Sequence, residues 1–478
     1  MNRDQQQMPL LQRLTEFADR QTMSFHVPGH KNGEVFPGDA QRFFHSILPI
    51  DMTELPGLDD LHAPREVIAQ AEALTSDYFH ADHSFFLIGG STVGNLAMIL
   101  ASCSPGEKII IQRNSHKSMM NGLELADANP VFIAPEYDEV VDRYTHPSVE
   151  TLEEALEANP DAKAVVLTYP DYFGNTYDIQ KMIDLAHAYQ IPVLVDEAHG
   201  VHFSLGDPFP ASALDLGADV VVQSAHKMAP AMTMASYLHI KSSLIAKERV
   251  AHYLQMLQSS SPSYPLMASL DVARAFLATL ASDRLTAIFK SATRVRKILQ
   301  TFDGCAILPV TAKDDPLKIT LHVKQGISSS SVANIFEQAG IYPELITHNQ
   351  LLFIHGLAPF NKLAELKKAI ESGNEQLKIN TNHDTIEITE LFPRKIQGLA
   401  MSYQAMNAGE YIATPLKEAI GKVAAEAVIP YPPGIPLILK GEKINTAHIL
   451  VMEQCIKQGV TFQNYDIDKG INVYTGVR

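Results

Sequence analysis

The chain has 478 residues, with 38 Lys and Arg against 54 Asp and Glu, a formal net charge of −16, and 46% hydrophobic residues. That length exceeds one ordinary domain, and the apolar share is that of a packed globular protein. The acidic balance argues against nucleic acid as a partner and leaves small, cationic ligands, or solubility alone, as its meaning. Cys103, Cys305 and Cys455 stand far apart, which argues against a disulfide framework and against cysteine-ligated zinc.

In chain order, the polar start Met1 to Thr22 lacks the apolar core of a signal peptide. No apolar run reaches the roughly 18 residues that a membrane span needs. A reducing cytoplasm is the expected location. Pro64 to Phe79 places Val67, Ile68, Ala71 and Leu74 at helical intervals. Phe85 to Ile88 reads as a strand, followed by Gly89-Gly90 and a helix from Thr92 to Ser102. Lys108 to Gln112, Pro130 to Ala134, Ala164 to Thr168, Val193 to Asp196, Asp219 to Gln223 and Ser236 to Ile240 read as buried strands. Helices are expected over Ser148 to Ala158 and Ile179 to Tyr189. Apolar strands alternating with helices predict an α/β fold with a mostly parallel sheet covered on both faces.

Leu266 to Leu299 reads as one or more long helices. Leu317 to Val323, Ser329 to Ala339 and Leu351 to His355 suggest a smaller α/β domain. Asn374 to Thr385 is polar enough for a linker. Beyond it come helix signals over Pro415 to Ala427 and a Pro-rich loop, Tyr431-Pro432-Pro433-Gly434-Ile435-Pro436. The expected organisation is an N-terminal arm (1–50), a large domain (51–265), a small α/β domain (266–378) and a C-terminal domain (379–478).

Ligands of parallel α/β sheets bind outside the carboxyl ends of the strands, and four polar landmarks fall there. Gly89-Gly90-Ser91-Thr92-Val93-Gly94-Asn95 follows a strand and opens a helix. Such a turn can cradle an anion on free N–H groups with hydroxyls from Ser91 and Thr92, or be a plain turn with a serine cap. It is not a Walker loop, because no Gly-Lys-Ser/Thr follows. Arg113-Asn114-Ser115-His116-Lys117-Ser118 offers His116, either to stack on a planar ligand or as an ordinary loop residue. Val193-Leu194-Val195-Asp196-Glu197-Ala198-His199-Gly200 puts a carboxylate, Asp196, at the end of a buried strand, where it needs a cationic or N–H partner. Glu197 and His199 raise a metal site, but the other ligands at metal spacing are missing, so no metal is expected. Val220-Val221-Val222-Gln223-Ser224-Ala225-His226-Lys227 ends in a lysine. Poor solvation there would make its amine nucleophilic, and the alternative is a surface lysine.

Order and spacing change that balance. The glycine turn precedes Asp196, and Lys227 follows 31 residues after it. An anion cradle, a carboxylate for a ring nitrogen and a lysine for an aldehyde are what pyridoxal 5'-phosphate requires.

With these landmarks on hand, the chain resembles the fold-type-I pyridoxal-phosphate decarboxylases of ornithine, lysine and arginine, in their short Gram-positive-type form without an N-terminal wing. The matching segments are the four landmarks and Ser24-Phe25-His26-Val27-Pro28-Gly29-His30-Lys31-Asn32-Gly33. Further matches are Asp51-Met52-Thr53-Glu54-Leu55-Pro56-Gly57-Leu58-Asp59-Asp60-Leu61-His62, Ser259-Ser260-Ser261-Pro262-Ser263-Tyr264-Pro265, and Ala425 to Glu442 around the Pro-rich loop. The resemblance implies that Lys227 bonds to the cofactor aldehyde, Asp196 pairs with the ring nitrogen and His116 stacks on the ring. It implies further that Ser91, Thr92, Ser224 and His226 hold the phosphate, and that Ala198 packs on the opposite ring face. It also implies a homodimer or dimer of dimers, with the site at the subunit interface and the Ser261–Tyr264 stretch reaching the partner's site. The absence of the wing implies that the larger assemblies of longer members do not form.

The reaction implied is α-decarboxylation of a basic amino acid in polyamine biosynthesis. Arginine is favoured, with lysine or ornithine as the other substrates, and Lys227 or His226 returns the proton to Cα. Glu54, Asp59, Asp60, Asp171 and Glu442 are the candidate partners of the substrate's distal cation. Asp171 departs from the family pattern, which often has Thr there, and Met228-Ala229-Pro230-Ala231-Met232-Thr233 is unusually rich in Met. A competing reading keeps the cofactor but makes the enzyme an aminotransferase or aldolase, with Arg394 as the clamp an aminotransferase needs for the α-carboxylate.

Overall fold

The computed structural model describes residues 3–20, 22–377, 391–430, 434–457, 459–464 and 466–475. After a helix over Pro9–Asp19, the chain alternates as expected. It runs through α1 (Val67–Phe79), β1 (His83–Leu87), α2 (Gly90–Ser102), β2 (Lys108–Gln112), α3 (Lys117–Leu125) and β3 (Asn129–Ile133). Next come α4 (Val149–Ala158), β4 (Val165–Thr168), α5 (Ile179–Ala188), β5 (Val193–Asp196), β6 (Val220–Gln223), α6 (Ala225–Met228) and β7 (Ser236–Ile240). The helices α7 (Lys247–Leu257), α8 (Tyr264–Ala278) and α9 (Ser282–Leu299) follow. The stretch Leu266 to Leu299, expected as one or more long helices, is therefore parts of two.

The residues group into two compact units. The first comprises residues 1–102, 164–169 and 179–280, and the second comprises 103–163, 170–178 and 281–478. In the first unit the strands run in the order β1-β7-β6-β5-β4. β4, β5 and β6 are parallel, whereas β7 pairs antiparallel with both β6 and β1. Val193, Leu194, Val195, Val220, Val221 and Val222 are fully buried, each contributing about 1.5–3 kcal/mol of transfer free energy. That continuous burial is why these strands read as unbroken apolar runs. Their register sets Thr168 opposite Asp196 and Asp196 opposite Val222, so the polar residues that follow the three apolar runs emerge side by side.

Gly94 has a packing reason. A Cβ there would lie 2.7 Å from Leu87 and 2.9 Å from Val222, so only glycine lets α2 settle onto β1 and β6. Gly90, at φ +74°, makes the turn into that helix.

In the second unit β2 and β3 pair in parallel, and β12 (Ile396–Gly398) adds antiparallel to β3. A separate antiparallel sheet holds β8 (Cys305–Ile307), β9 (Lys318–Val323), β10 (Leu345–Ile346) and β11 (Gln350–Ile354) in the order β8-β9-β11-β10. Helices α10 (Ser329–Gln338) and α11 (Leu363–Gln376) supply Val332, Phe336, Leu366 and Ile370 to its core. A last core forms around Ala424, Val428, Ile438, Met452 and Val473, with β13 (Tyr411–Thr414), α12 (Thr446–Lys457) and β14 (Ile471–Tyr474).

The helix expected over Pro415 to Ala427 is absent. Leu416–Ala419 forms one 3-10 turn, Gly421 turns the chain at φ +84°, and Val423, Ala424 and Val428 then make isolated β-bridges. Apolar spacing there serves an extended, buried segment. Part of the expected linker (Asn374 to Thr385), and Tyr431, Pro432 and Pro433 of the Pro-rich loop, lie outside the described residues.

Candidate active site

In the first unit the carboxyl ends of β5 and β6 and the start of α2 bring polar groups together. Asp196 is 4% exposed. Its carboxylate accepts from Asn95 Nδ2 at 3.0 Å and from the Ala198 amide at 3.1 Å. These two donors leave the carboxylate lone pairs for one further donor. Asn95 stands one turn inside α2 and was part of the glycine landmark, but its role was not legible there. It holds Asp196 in place.

Ser91 and Ser224 lie on different elements, yet their hydroxyls meet at 2.7 Å, and Ser91 also donates to Ser236 at 3.4 Å. The three hydroxyls gather by the first turn of α2, whose amide groups favour an anion. Thr92 sits exposed in the same turn. Ser224 also precedes the short helix α6, which carries His226 and Lys227.

Lys227 is half-buried, and its Nζ lies 3.0 Å from Nε2 of His199. His199 is 5% exposed. Sequence reasoning raised this histidine only as a metal ligand, whereas its partner is the lysine. The turn that carries it is tightly built. Gly200 N donates to the Glu197 carbonyl at 2.9 Å, and a Cβ on Gly200 would come within 2.6 Å of the Glu197 side chain. The Glu197 carboxyl is fully buried and accepts from Gln223 Nε2 at 2.6 Å, Ser212 Oγ at 2.8 Å and Ala213 N at 2.8 Å. Burial pushes its pKa up to about 8 against these three donors. Glu197 thus braces the turn, and its oxygens are occupied. Among the described residues no group of His, Cys, Asp and Glu is placed to hold a metal ion. His226 turns its Nδ1 to the Ala235 carbonyl at 3.0 Å.

The second unit holds His116 and the tail motif. His116 caps α3, with Nδ1 2.8 Å from Ser118 Oγ and accepting from Ser118 N at 3.2 Å. Three residues before it, the fully buried Arg113 pairs with Glu442 at 2.6 Å and donates to the carbonyls of Pro436 and Leu437 at 2.9 and 3.0 Å. Lys117 N donates to the Gly434 carbonyl at 3.1 Å. The conspicuous tail motif is therefore fastened to the turn that carries His116.

Most carboxylates considered for the substrate's distal cation have other partners. Asp59 accepts from the amides of Asp60, Arg65, Glu66, Ile68 and Ala69, anchoring the start of α1. Asp171 accepts from Phe173 N at 2.9 Å and Asn175 N at 2.8 Å and pairs with Arg143 at 3.5 Å. Glu442 serves Arg113. Glu54 and Asp60 are exposed, Glu54 accepting from Thr53 Oγ1 and Asp60 from His62 N at 2.8 Å. Tyr264 is fully buried and donates to the Asp59 carbonyl at 2.7 Å, so of the Ser261–Tyr264 stretch expected to reach a partner it is Ser261 that is exposed. Arg394, the clamp of the aminotransferase reading, is exposed on the segment before β12.

Family models for the Orn/Lys/Arg decarboxylase major domain and C-terminal domain match residues 8–315 and 383–459. An uncharacterized Bacillus subtilis protein, YaaO, is 45% identical over 94% of this chain and 94% of its own. The arginine decarboxylase of Bacillus subtilis is 36% identical over 96% of each chain. The solved structure of the Escherichia coli constitutive lysine decarboxylase is 20% identical and superposes with a TM-score of 0.80, covering 98% of this chain and 82% of that one. At that identity the likeness speaks for the fold, which is the α/β fold the sequence predicted.

Proposed function

Because this chain belongs to the Orn/Lys/Arg decarboxylase family, we propose that it removes the α-carboxyl group of arginine, using pyridoxal 5'-phosphate, to give agmatine and carbon dioxide. The class, an amino-acid decarboxylase of the pyridoxal-phosphate-dependent type, follows from the family. The choice of arginine is supported by 36% identity to the Bacillus subtilis arginine decarboxylase, with lysine and ornithine as the competing substrates. Supply of polyamine precursors is the corresponding role.

The observation that carries the cofactor assignment is the convergence in the first unit of a lysine amine, a buried carboxylate and three hydroxyls. Chemically this set fits pyridoxal phosphate. Lys227 supplies the amine for the aldehyde. Asp196, already held by Asn95 and Ala198, has acceptor capacity left for a protonated ring nitrogen. Ser91, Ser224 and Ser236, with the first turn of α2, supply donors for a dianionic phosphate. Thr92 and His226 would complete the phosphate set and Ala198 would pack on the ring, and the family resemblance assigns His116 to the ring as well.

When bound, the cofactor supplies an electron sink for the pair left at Cα as carbon dioxide departs. The protein's part is positional and electrostatic. Asp196, buried at the strand end, favours a proton on the ring nitrogen because an ion pair is stronger where water is scarce. The serines would hold the phosphate. Lys227 would hold a proton and return it to Cα. Glu54 and Asp60, the exposed members of the set, are the candidates for the distal cation.

Two measurements test this. Borohydride reduction of the protein with pyridoxal phosphate, followed by peptide mapping, should leave the label on Lys227. Incubation with arginine should yield agmatine. Label elsewhere removes the lysine assignment, and a keto acid in place of an amine turns the reading toward transamination.

A further inference from the structure

We propose that His199 is a catalytic residue, the base that takes the proton from the Lys227 ammonium and hands it back. The inference rests on the pyridoxal-phosphate reading above, because it assigns Lys227 a nucleophile's task. A lysine ammonium has no lone pair, so it must lose a proton before it can attack an aldehyde. Water usually accepts that proton. Here the amine is half-buried, and His199 stands at hydrogen-bond distance from it, with Nε2 3.0 Å from Nζ and 5% of its surface exposed.

The balance is simple. An N–H bond of the Lys227 ammonium breaks, its electron pair stays on Nζ, and the proton forms an N–H bond on His199 Nε2. The imidazole becomes imidazolium. When Lys227 is released again as an amine, the proton returns along the same line. Imidazole suits this shuttle because its ordinary pKa lies near neutrality.

Geometry favours His199 over the neighbouring His226, which directs Nδ1 to the Ala235 carbonyl, 3.0 Å away. The His199 ring is carried on a turn with little freedom. Glu197 is pinned by Gln223, Ser212 and Ala213, and Gly200 leaves no room for a Cβ beside it. The titratable groups on the surrounding elements are Asp196 and Glu197 at the end of β5, His202 beyond the turn, and His226 and Lys227 on α6. Asp196 is held by Asn95 and Ala198, and Glu197 by its three donors. His202 is fully buried against the rings of Phe203 and Phe209.

The test is the rate at which the full-length protein, stripped of cofactor, captures pyridoxal phosphate on Lys227, followed by visible absorbance across pH. No substrate turnover enters this readout. His199→Ala should slow capture at neutral pH by about 100-fold, the low end of general-base effects, and move the profile to higher pH. Added imidazole should restore much of the rate, which a merely structural loss would not allow. His199→Gln, which keeps a polar side chain but no base, should be as slow as His199→Ala, and serves alone if the alanine variant does not fold. A profile unchanged in the variants overturns the proposal. If the wild-type protein itself fails to bind the cofactor on Lys227, the underlying reading falls instead, and the two failures are told apart without the variants.

Discussion

Glu442→Ala should destabilise the second unit heavily, and the size of the effect follows from the burial of its partner. Arg113 is fully buried and Glu442 nearly so, at 2.6 Å. The guanidinium also donates to the Pro436 and Leu437 carbonyls and lies 5.4 Å over the Phe392 ring. The carboxylate also accepts from Leu439 N at 2.8 Å and Gln397 Nε2 at 2.9 Å. Removing Glu442 strands a cation in the interior, at a cost of about 3–5 kcal/mol. For a cooperative unit of this size that lowers the melting temperature by roughly 6–20 °C. Replacing both partners, Arg113→Met with Glu442→Leu, should recover most of the loss, because two apolar groups leave no buried charge.

Thermal and urea unfolding followed by circular dichroism, run as a double-mutant cycle, gives the coupling directly. A loss below about 1 kcal/mol, the range of exposed pairs, would mean that Glu442 does not compensate a buried charge on Arg113. The pH dependence has a definite sign. Burial raises the Glu442 pKa, but Arg113, His448 and the Leu439 amide together hold it below its ordinary 4.5. The contribution is therefore complete at neutral pH and is lost as pH falls from 4.5 through the folded-state value.

Lys227→Ala should abolish carbon dioxide release and the visible absorbance of bound pyridoxal phosphate, and a spectrum like the wild type would exclude the lysine. Asp196→Asn should keep the cofactor bound but cut the rate by at least about 100-fold, seen as loss of kcat with the absorbance retained; a near-normal kcat would assign the ring nitrogen to another group. Glu72 offers a stability test. Burial, opposed by the Phe86 amide and by Lys247 and reinforced by Asp59, pushes its pKa up to about 8. The unfolded chain releases that proton above 4.5 and the folded chain only near 8, so stability declines across the interval. Glu72→Gln should flatten the decline by about 1 kcal/mol per pH unit, measured by urea unfolding at several pH values, and an unchanged slope would mean that Glu72 ionises normally.

The fold was largely legible because the strands β4, β5 and β6 are buried on both sides and so appear as bare apolar runs ending in polar residues. Lys227 and Asp196 could be found that way, since strand ends are where such sheets bind ligands. What a carboxylate touches was not legible. Arg113 and Glu442 are 329 residues apart in sequence, and nothing local marks Glu442 as the arginine's partner rather than a ligand for a substrate cation. Asp59 and Asp171 carried the same ambiguity, resolved by backbone amides that composition does not reveal. His199 suggested a metal because acid and imidazole stand together in the sequence, whereas the fold turns the acid inward and the imidazole toward Lys227. The lost helix at Pro415 to Ala427 shows the reverse error, in which apolar spacing was read as helical although Gly421 turns the chain into an extended, bridged segment.

α-Decarboxylation of a basic amino acid through Lys227 can be followed as release of labelled carbon dioxide from carboxyl-labelled arginine, with lysine and ornithine alongside, by the cofactor-loaded protein and its Lys227→Ala variant. The expected result is release from arginine in preference to the other two, equimolar agmatine, and none from the variant. Cofactor bound on Lys227 with no labelled carbon dioxide from any of the three would contradict it.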